Sequence, residues 1–168
     1  RWIAFASASS DVVAGDANGV ADLYARDRVG GVTLLASANS LGSPGNGPSS
    51  VSSAPSFSSD GRRIAFTSAA SDLVAGDANA SVDVYVRDLQ AGTTRAAAVT
   101  RDATTGKTVA LSGNSNLPTI SADGRFVGLG TSTYVEPTTT GMAFYGTEGA
   151  TIRIEPSGKV NVYVAGGS

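Results

Sequence analysis

Cysteine and histidine are absent from this 168-residue chain. No disulfide, thiolate nucleophile, imidazole base or His/Cys zinc site can be built from it. Charge is scarce as well: Asp, Glu, Lys and Arg are 15% of the residues and leave a net charge of −2. That balance gives no basic footprint, so nucleic acid is not an expected partner. No apolar run reaches the roughly 18 residues that a membrane-spanning helix needs. Helical periodicity is missing too, since no stretch repeats its apolar residues every 3.6 positions. What is plentiful is Gly, Ser, Thr and Ala, interleaved with regularly placed Val, Ile, Leu, Phe and Tyr. That mixture suits short strands and tight turns, and its regularity argues against disorder. One domain is the default at this length.

Shifted by 61 residues, the chain matches itself. Ser10-Asp-Val-Val-Ala-Gly-Asp-Ala-Asn18 and Ala21-Asp-Leu-Tyr-Ala-Arg-Asp27 return as Ser71-Asp-Leu-Val-Ala-Gly-Asp-Ala-Asn79 and Val82-Asp-Val-Tyr-Val-Arg-Asp88. A third start follows 63 residues later, with Val127 in the place of Ile64. Repetition on this scale means stacked supersecondary units that share a core. The chain opens at Arg1 inside a unit whose other copies carry Asp-Gly just before that point, so further residues are expected upstream.

Each unit reads as strands. Asp60-Gly61 and Asp123-Gly124 separate alternating runs, a strong hairpin signal because Gly tolerates positive φ. Val82, Val84 and Val86 share one strand face, and Asp83, Tyr85 and Arg87 the other. Thr93–Val99 is a further strand, and Asn39–Ala54 reads as a surface connection. The third unit fades after Thr131. Ala150–Ile154 and Val160–Val164 then read as a C-terminal hairpin. Four strands per 61 residues make one propeller blade with an enlarged loop. The fold expected is therefore all-β, with about two and a half blades over 1–131 (partial, full, partial) and a divergent β segment over 132–168. Ile3 and Ile64 are both expected to be buried.

Ser59-Asp-Gly-Arg-Arg-Ile-Ala-Phe66 and Asp83-Val-Tyr-Val-Arg-Asp88 resemble the TolB-like β-propeller repeat. The long form, with Ser-Asp-Leu-Val-Ala-Gly-Asp-Ala-Asn inserted, is similar to repeat arrays of secreted bacterial proteins. The resemblance covers about residues 1–131. It implies blades around a channel, used for protein contacts or as partner domains of enzymes, in an extracellular, periplasmic or cell-surface setting.

Asp16, Asn18 and Asp22 stand at relative positions 1, 3 and 7 of a loop, and Asp77, Asn79 and Asp83 repeat them. Hard oxygen ligands at alternate positions suit Ca²⁺. The competing reading is a turn in which Asp and Asn cap their own backbone, and it is the favoured one of the two. Tyr24, Arg26, Tyr85 and Arg87 read either as a recognition surface or, preferentially, as packing between blades with each Arg paired to an Asp. Asn79-Ala-Ser81 fits a glycosylation acceptor only by chance-level pattern. Catalysis would have to use carboxylates, Tyr, Ser or the two lysines, Lys107 and Lys159, and Glu136, Glu148 and Glu155 are not repeated and form no recognisable constellation. Gly128-Leu-Gly130 has no helix after it to make a phosphate loop. No enzymatic activity is expected.

The function expected is a non-enzymatic secreted or surface module that binds or scaffolds, stabilised by Ca²⁺ if the loops bind it. Its partners are other proteins or further copies and blades of the same protein. The alternatives are a structural subunit of a surface fibre or phage particle, or the propeller portion of a larger enzyme.

Overall fold

The computed structural model describes residues 1–51, 56–97, 99–101, 108–110, 113–131, 137–138, 141–142, 150–154 and 160–164. These residues hold strands and turns and no helix. The first unit is a three-stranded antiparallel sheet of β1 (Trp2–Ser7), β2 (Asp22–Asp27) and β3 (Val32–Leu35). The second adds an inner strand in two pieces, β4 (Ser49–Ser50) and β5 (Ser56–Phe57), to β6 (Arg63–Ser68), β7 (Asp83–Asp88) and β8 (Thr93–Ala96). A short ribbon follows, β9 (Val99–Arg101) with β10 (Thr108–Ala110). The third unit pairs β11 (Ser115–Ile120) with β12 (Val127–Thr131). After the ribbon of β13 (Pro137–Thr138) and β14 (Gly141–Met142) come β15 (Ala150–Ile154) and β16 (Val160–Val164).

The expected C-terminal hairpin forms, with Ile154 opposite Val160. It is not set apart from the repeats. Gly128, Leu129 and Gly130 of β12 pair with Arg153, Ile152 and Thr151 of β15, so the third sheet runs β11-β12-β15-β16. The hairpin thus takes the two outer strand places of the third blade. The Asn39–Ala54 stretch is likewise more than a surface connection. Within it, β4 pairs with the end of β6, and Gly47 lies so close to the backbone of Ala69 that a Cβ would stand 2.7 Å from its carbonyl oxygen.

Alternation gives every blade two faces. In the first unit Ala4, Leu23 and Ala25 share one face, and Ile3, Phe5, Tyr24 and Arg26 the other. In the second unit the equivalents of that latter face are Ile64, Phe66, Tyr85 and Arg87. The core forms where they meet. Ala4, Leu23, Ala25 and Ala36 of the first unit cluster with Ile64, Phe66, Ala70, Leu73 and Tyr85 of the second. The tyrosines are equivalent in burial, and both are fully covered.

The isoleucines are not equivalent, which corrects the sequence expectation. Ile64 is 0% exposed and Ile3 47%; Phe66 is 0% exposed and Phe5 36%. Ile64 lies under the first unit. The face bearing Ile3 has no such cover among the described residues.

The seams between units repeat as well. Ser49 donates its N–H to Ala21 at 2.8 Å, and Ser115 donates to Val82 at 2.6 Å. Each Asp-Gly turn sits under a side chain of the preceding unit. A Cβ on Gly61 would strike the Trp2 indole, and one on Gly124 would stand 2.8 Å from Arg63 Nη1. Both glycines have φ near +70°, at +69° and +68°, so two constraints select Gly at each position.

Burial sets the expected cost of truncation. Ile64→Ala should destabilise the chain by about 2–5 kcal/mol, and Ile3→Ala by under about 1 kcal/mol, in urea unfolding. Equal losses at the two positions would contradict this account of the seam.

Candidate functional site

The polar residues singled out by the repeat lie together, one cluster per unit. In the first unit the Tyr24 hydroxyl donates a short hydrogen bond to Asp16 Oδ2. Asn18 donates its amide to Asp22 Oδ2 at 2.5 Å and to the Gly45 carbonyl at 2.8 Å. Asn18 Oδ1 accepts the Val20 N–H at 3.0 Å. The Ser37 hydroxyl donates to Asp22 Oδ1 at 2.6 Å and accepts the Leu23 N–H at 2.9 Å. The network ties the long loop to β2 and to the connection that leads into the next blade.

The second unit repeats most of it. The Tyr85 hydroxyl donates to Asp77 Oδ2, Asn79 donates to Asp83 Oδ2 at 2.8 Å, and Asn79 Oδ1 accepts the Ser81 N–H at 2.9 Å. The phenols of Tyr24 and Tyr85 are pushed far above their usual range by burial and then by the carboxylates they serve. They are fixed donors, not acids or bases for chemistry near neutral pH.

Two of the substitutions between the copies bear on this network. Ala80 stands where the first loop has Gly19, and both take positive φ, +52° and +74°. The left-handed region costs a residue with a Cβ about 1–2 kcal/mol. The second change is at position 98, which is Ala where the first copy has Ser37. Asp83 is 1% exposed, and its Oδ1 has no hydrogen-bond partner. Burial pushes its carboxyl up to about 6, against the opposing pull of the Asn79 amide, with the charge on Asp77 adding to the rise. Asp22, buried but bonded to Ser37 and Asn18, also rises, for the same first reason.

All six residues proposed as Ca²⁺ ligands thus fall in these clusters: Asp16, Asn18 and Asp22, and Asp77, Asn79 and Asp83. Their hydrogen bonds are those of an Asx turn closed on buried carboxylates. Each Asn spends its oxygen on a backbone N–H and turns its amide nitrogen to the Asp. A cation sharing that loop requires the amide to turn over. Among the described residues no group of three or more Asp or Glu is arranged to hold a metal. Glu136, Glu148, Glu155, Lys107 and Lys159 lie outside the described residues.

The arginines behave differently from the sequence expectation of Arg–Asp pairing. Arg87 donates to the carbonyls of Ala38 and Asn39 in the first unit, at 3.0 and 2.8 Å, and to Thr94 Oγ1 at 3.0 Å. Arg26 keeps the equivalent bond to Thr33 at 3.0 Å. The Asp partners belong to Arg1 and Arg62, which bind Asp27 at 2.6 Å and Asp88 at 2.8 Å. The Arg1 hydrogen bonds hold Asp27 far below the usual carboxylate range. Burial pushes Asp88 up, but the Ala91 N–H and then Arg62 outweigh it and hold it low.

The antiparallel blades and their seams define the architecture as a TolB-like β-propeller fold. No protein-family model and no curated protein matches the chain. Among solved structures it is similar to a TolB of Agrobacterium tumefaciens, with 20% identity and a TM-score of 0.50, over 99% of this chain and 43% of that one. A second match, TolB of Acinetobacter baumannii, has 17% identity and a TM-score of 0.29, over 86% and 38%. The chain therefore spans less than half the length of the structures it resembles.

Asp83 makes stability depend on pH in a definite direction. Between its unfolded value near 3.9 and its folded value of about 6, the folded state holds a proton that the unfolded state has lost. Its contribution is therefore lost as pH rises through that window. Asp83→Asn should gain stability relative to the parent chain as pH goes from 4 to 7, by urea unfolding. Ala98→Ser should raise stability at pH 7 by about 1 kcal/mol and shrink the pH dependence. An unchanged pH slope in Asp83→Asn would remove Asp83 as its source.

Proposed function

We propose that this chain is a non-catalytic binding and scaffold module of a secreted or surface protein, and that its first blade binds another blade of the same kind. One observation carries this reading. The Ile3, Phe5 and Arg26 face is open, while its copy one unit later is closed by a blade. The covered copy supports this reading: it meets a face of small apolar residues with two backbone carbonyls at its edge, the partners that Arg87 finds in Ala38 and Asn39. A second copy of this chain is the occupant we assign. The loop carboxylates support a structural role, since Asp16, Asp22 and Asp83 are buried and each of the four takes a Tyr or Asn donor of its own unit.

Sedimentation velocity over a concentration series tests the surface. The chain should self-associate, and Ile3→Asp should return it to monomer with an unchanged circular dichroism spectrum. Val29→Asp and Leu41→Asp, at exposed apolar positions elsewhere, should not. A parent chain that stays monomeric throughout would overturn the assignment.

Ca²⁺ at the second loop is a further reading, favoured by the unpartnered Asp83 Oδ1 beside Asp77 and Asn79. An ion at a hundredfold excess over its dissociation constant adds about 2.7 kcal/mol. Chelation should then lower the melting temperature, and Asp77→Ala should remove that response. A melting temperature indifferent to chelator leaves the loops as turns.

A further inference from the structure

The two seams of this chain are built on one plan and filled with opposite chemistry. Behind the first seam stand Trp2 and Leu34. Trp2 stacks on Phe57 at 6.4 Å between ring centroids and covers the Gly61 turn. One unit later the same two positions are Arg63 and Arg95. Arg62 stands there too, as the copy of Arg1, and Arg125 enters from the third unit's Asp-Gly turn. Between the second and third units these four guanidiniums line a cleft of about 720 Å³. That volume lies in the range of small-molecule sites.

Among the described residues the cleft carries an excess of positive charge. Four of the chain's 12 basic residues line it, against one lining carboxylate, Asp88. Asp88 is shared: Arg62 Nε stands 2.8 Å and Arg63 Nε 3.7 Å from the same oxygen. The Gln90 and Ala91 N–H groups draw on its other oxygen at 3.1 and 2.8 Å. Arg125 meets Asp123 at 4.0 Å, a half-exposed carboxylate outside the lining, and its guanidinium stands 5.7 Å from the centre of the Phe126 ring. Arg95 makes no salt bridge among the described residues. The rest of the wall is largely apolar, with Val86 and Val127 among its residues. In a chain of net charge −2, such a concentration of fork-shaped donors is a local feature of this seam.

We infer that the cleft between the second and third blades binds a small organic anion: a phosphate or carboxylate group held by Arg95, Arg125 and Arg62, joined to an apolar body lying against Val86 and Val127. Guanidinium forks bind both oxyanions in two-point fashion, so the shared chemistry is the planar or tetrahedral oxyanion. The apolar walls favour an anion with a hydrocarbon or aromatic part over a bare inorganic ion. This site does not depend on the open face of the first blade, and the two can fail separately.

Isothermal titration of the whole chain at low salt tests it, with phenyl phosphate and benzoate as probes of the two oxyanions. Inorganic phosphate and phenol serve as the anion and the apolar body alone. Phenyl phosphate or benzoate should bind at least tenfold more tightly than either half. Arg95→Glu should weaken that binding at least tenfold, while Arg28→Glu, at an exposed position outside the cleft, should not. Arg95→Ala covers the case in which charge reversal disturbs the blade. Raising salt from 50 to 500 mM should weaken binding, because exposed charges are screened. No binding of either probe at millimolar concentration overturns the proposal. So does binding that survives both Arg95 variants, or binding only by a polyglutamate peptide.

Discussion

A sheet has two faces, and a blade can close only one of them against any given neighbour. That constraint governs this chain. A single twisted three- or four-stranded sheet with Phe66 and Tyr85 on one side cannot remove them from water by itself. The first unit does it instead, by laying Ala4, Leu23 and Ala25 across them. The small residues on one face and the large ones on the other are two halves of one contact. The asymmetry lets the same sequence repeat indefinitely, since every blade offers a flat side forward and a bulky side back. It also explains why Ile3 and Ile64, equivalent positions of the repeat, differ in exposure by 47 percentage points. Burial here is a property of position in the stack, and only secondarily of the residue.

The polar network follows from the same arrangement. The long loop between the first two conserved strands of each unit must be fastened near the inner end of the seam. Tyr24 and Tyr85 do this from within the core, each reaching its loop carboxylate with a hydroxyl at the edge of an otherwise apolar ring. The next carboxylate, Asp22 or Asp83, needs two donors once it is buried. The first copy has both, from Asn18 and Ser37. The second has one from Asn79 and lacks the Ser, and it also carries Ala80 at a positive φ that Gly19 accepts freely. Both losses fall on one loop and raise the energy of one blade. The two copies form an internal comparison in which most of the surroundings are held constant.

The fold was legible because its signals are local and repeated. Asp-Gly turns, alternating strands and a constant offset require no knowledge of what packs on what, and each recurs. The grouping of Asp16, Asn18, Asp22 and Tyr24 was legible in part, since loop spacing places acids near one another. Their orientation was not. Whether Asn18 offers its oxygen or its nitrogen depends on the Val20 N–H, a backbone group that sequence spacing does not rank against an ion. Ser37 carries no signal in its own copy, and its value appears only by comparison with Ala at position 98. The Asp partner that sequence suggests for Arg87 gives way to others for a related reason. Two backbone carbonyls at the edge of another unit satisfy a guanidinium as well as a carboxylate does, and carbonyls leave no mark in a sequence.

Repetition separates what the stack requires from what it permits. Positions that fasten each unit internally are kept between copies: Tyr24 and Tyr85, Asp27 and Asp88, Arg1 and Arg62. Elsewhere the copies part company. Trp2 and Leu34 becoming Arg63 and Arg95 is such a parting, and it runs against burial. An apolar filling is the cheaper way to close a seam, because exposed guanidiniums gain little from a shared carboxylate. The second seam keeps its contacts through β11, Ser115 and Leu129, so the outer part of the gap is free to stay open and charged. The stack tolerates the arginines without needing them, and among the described residues the four share one lining carboxylate.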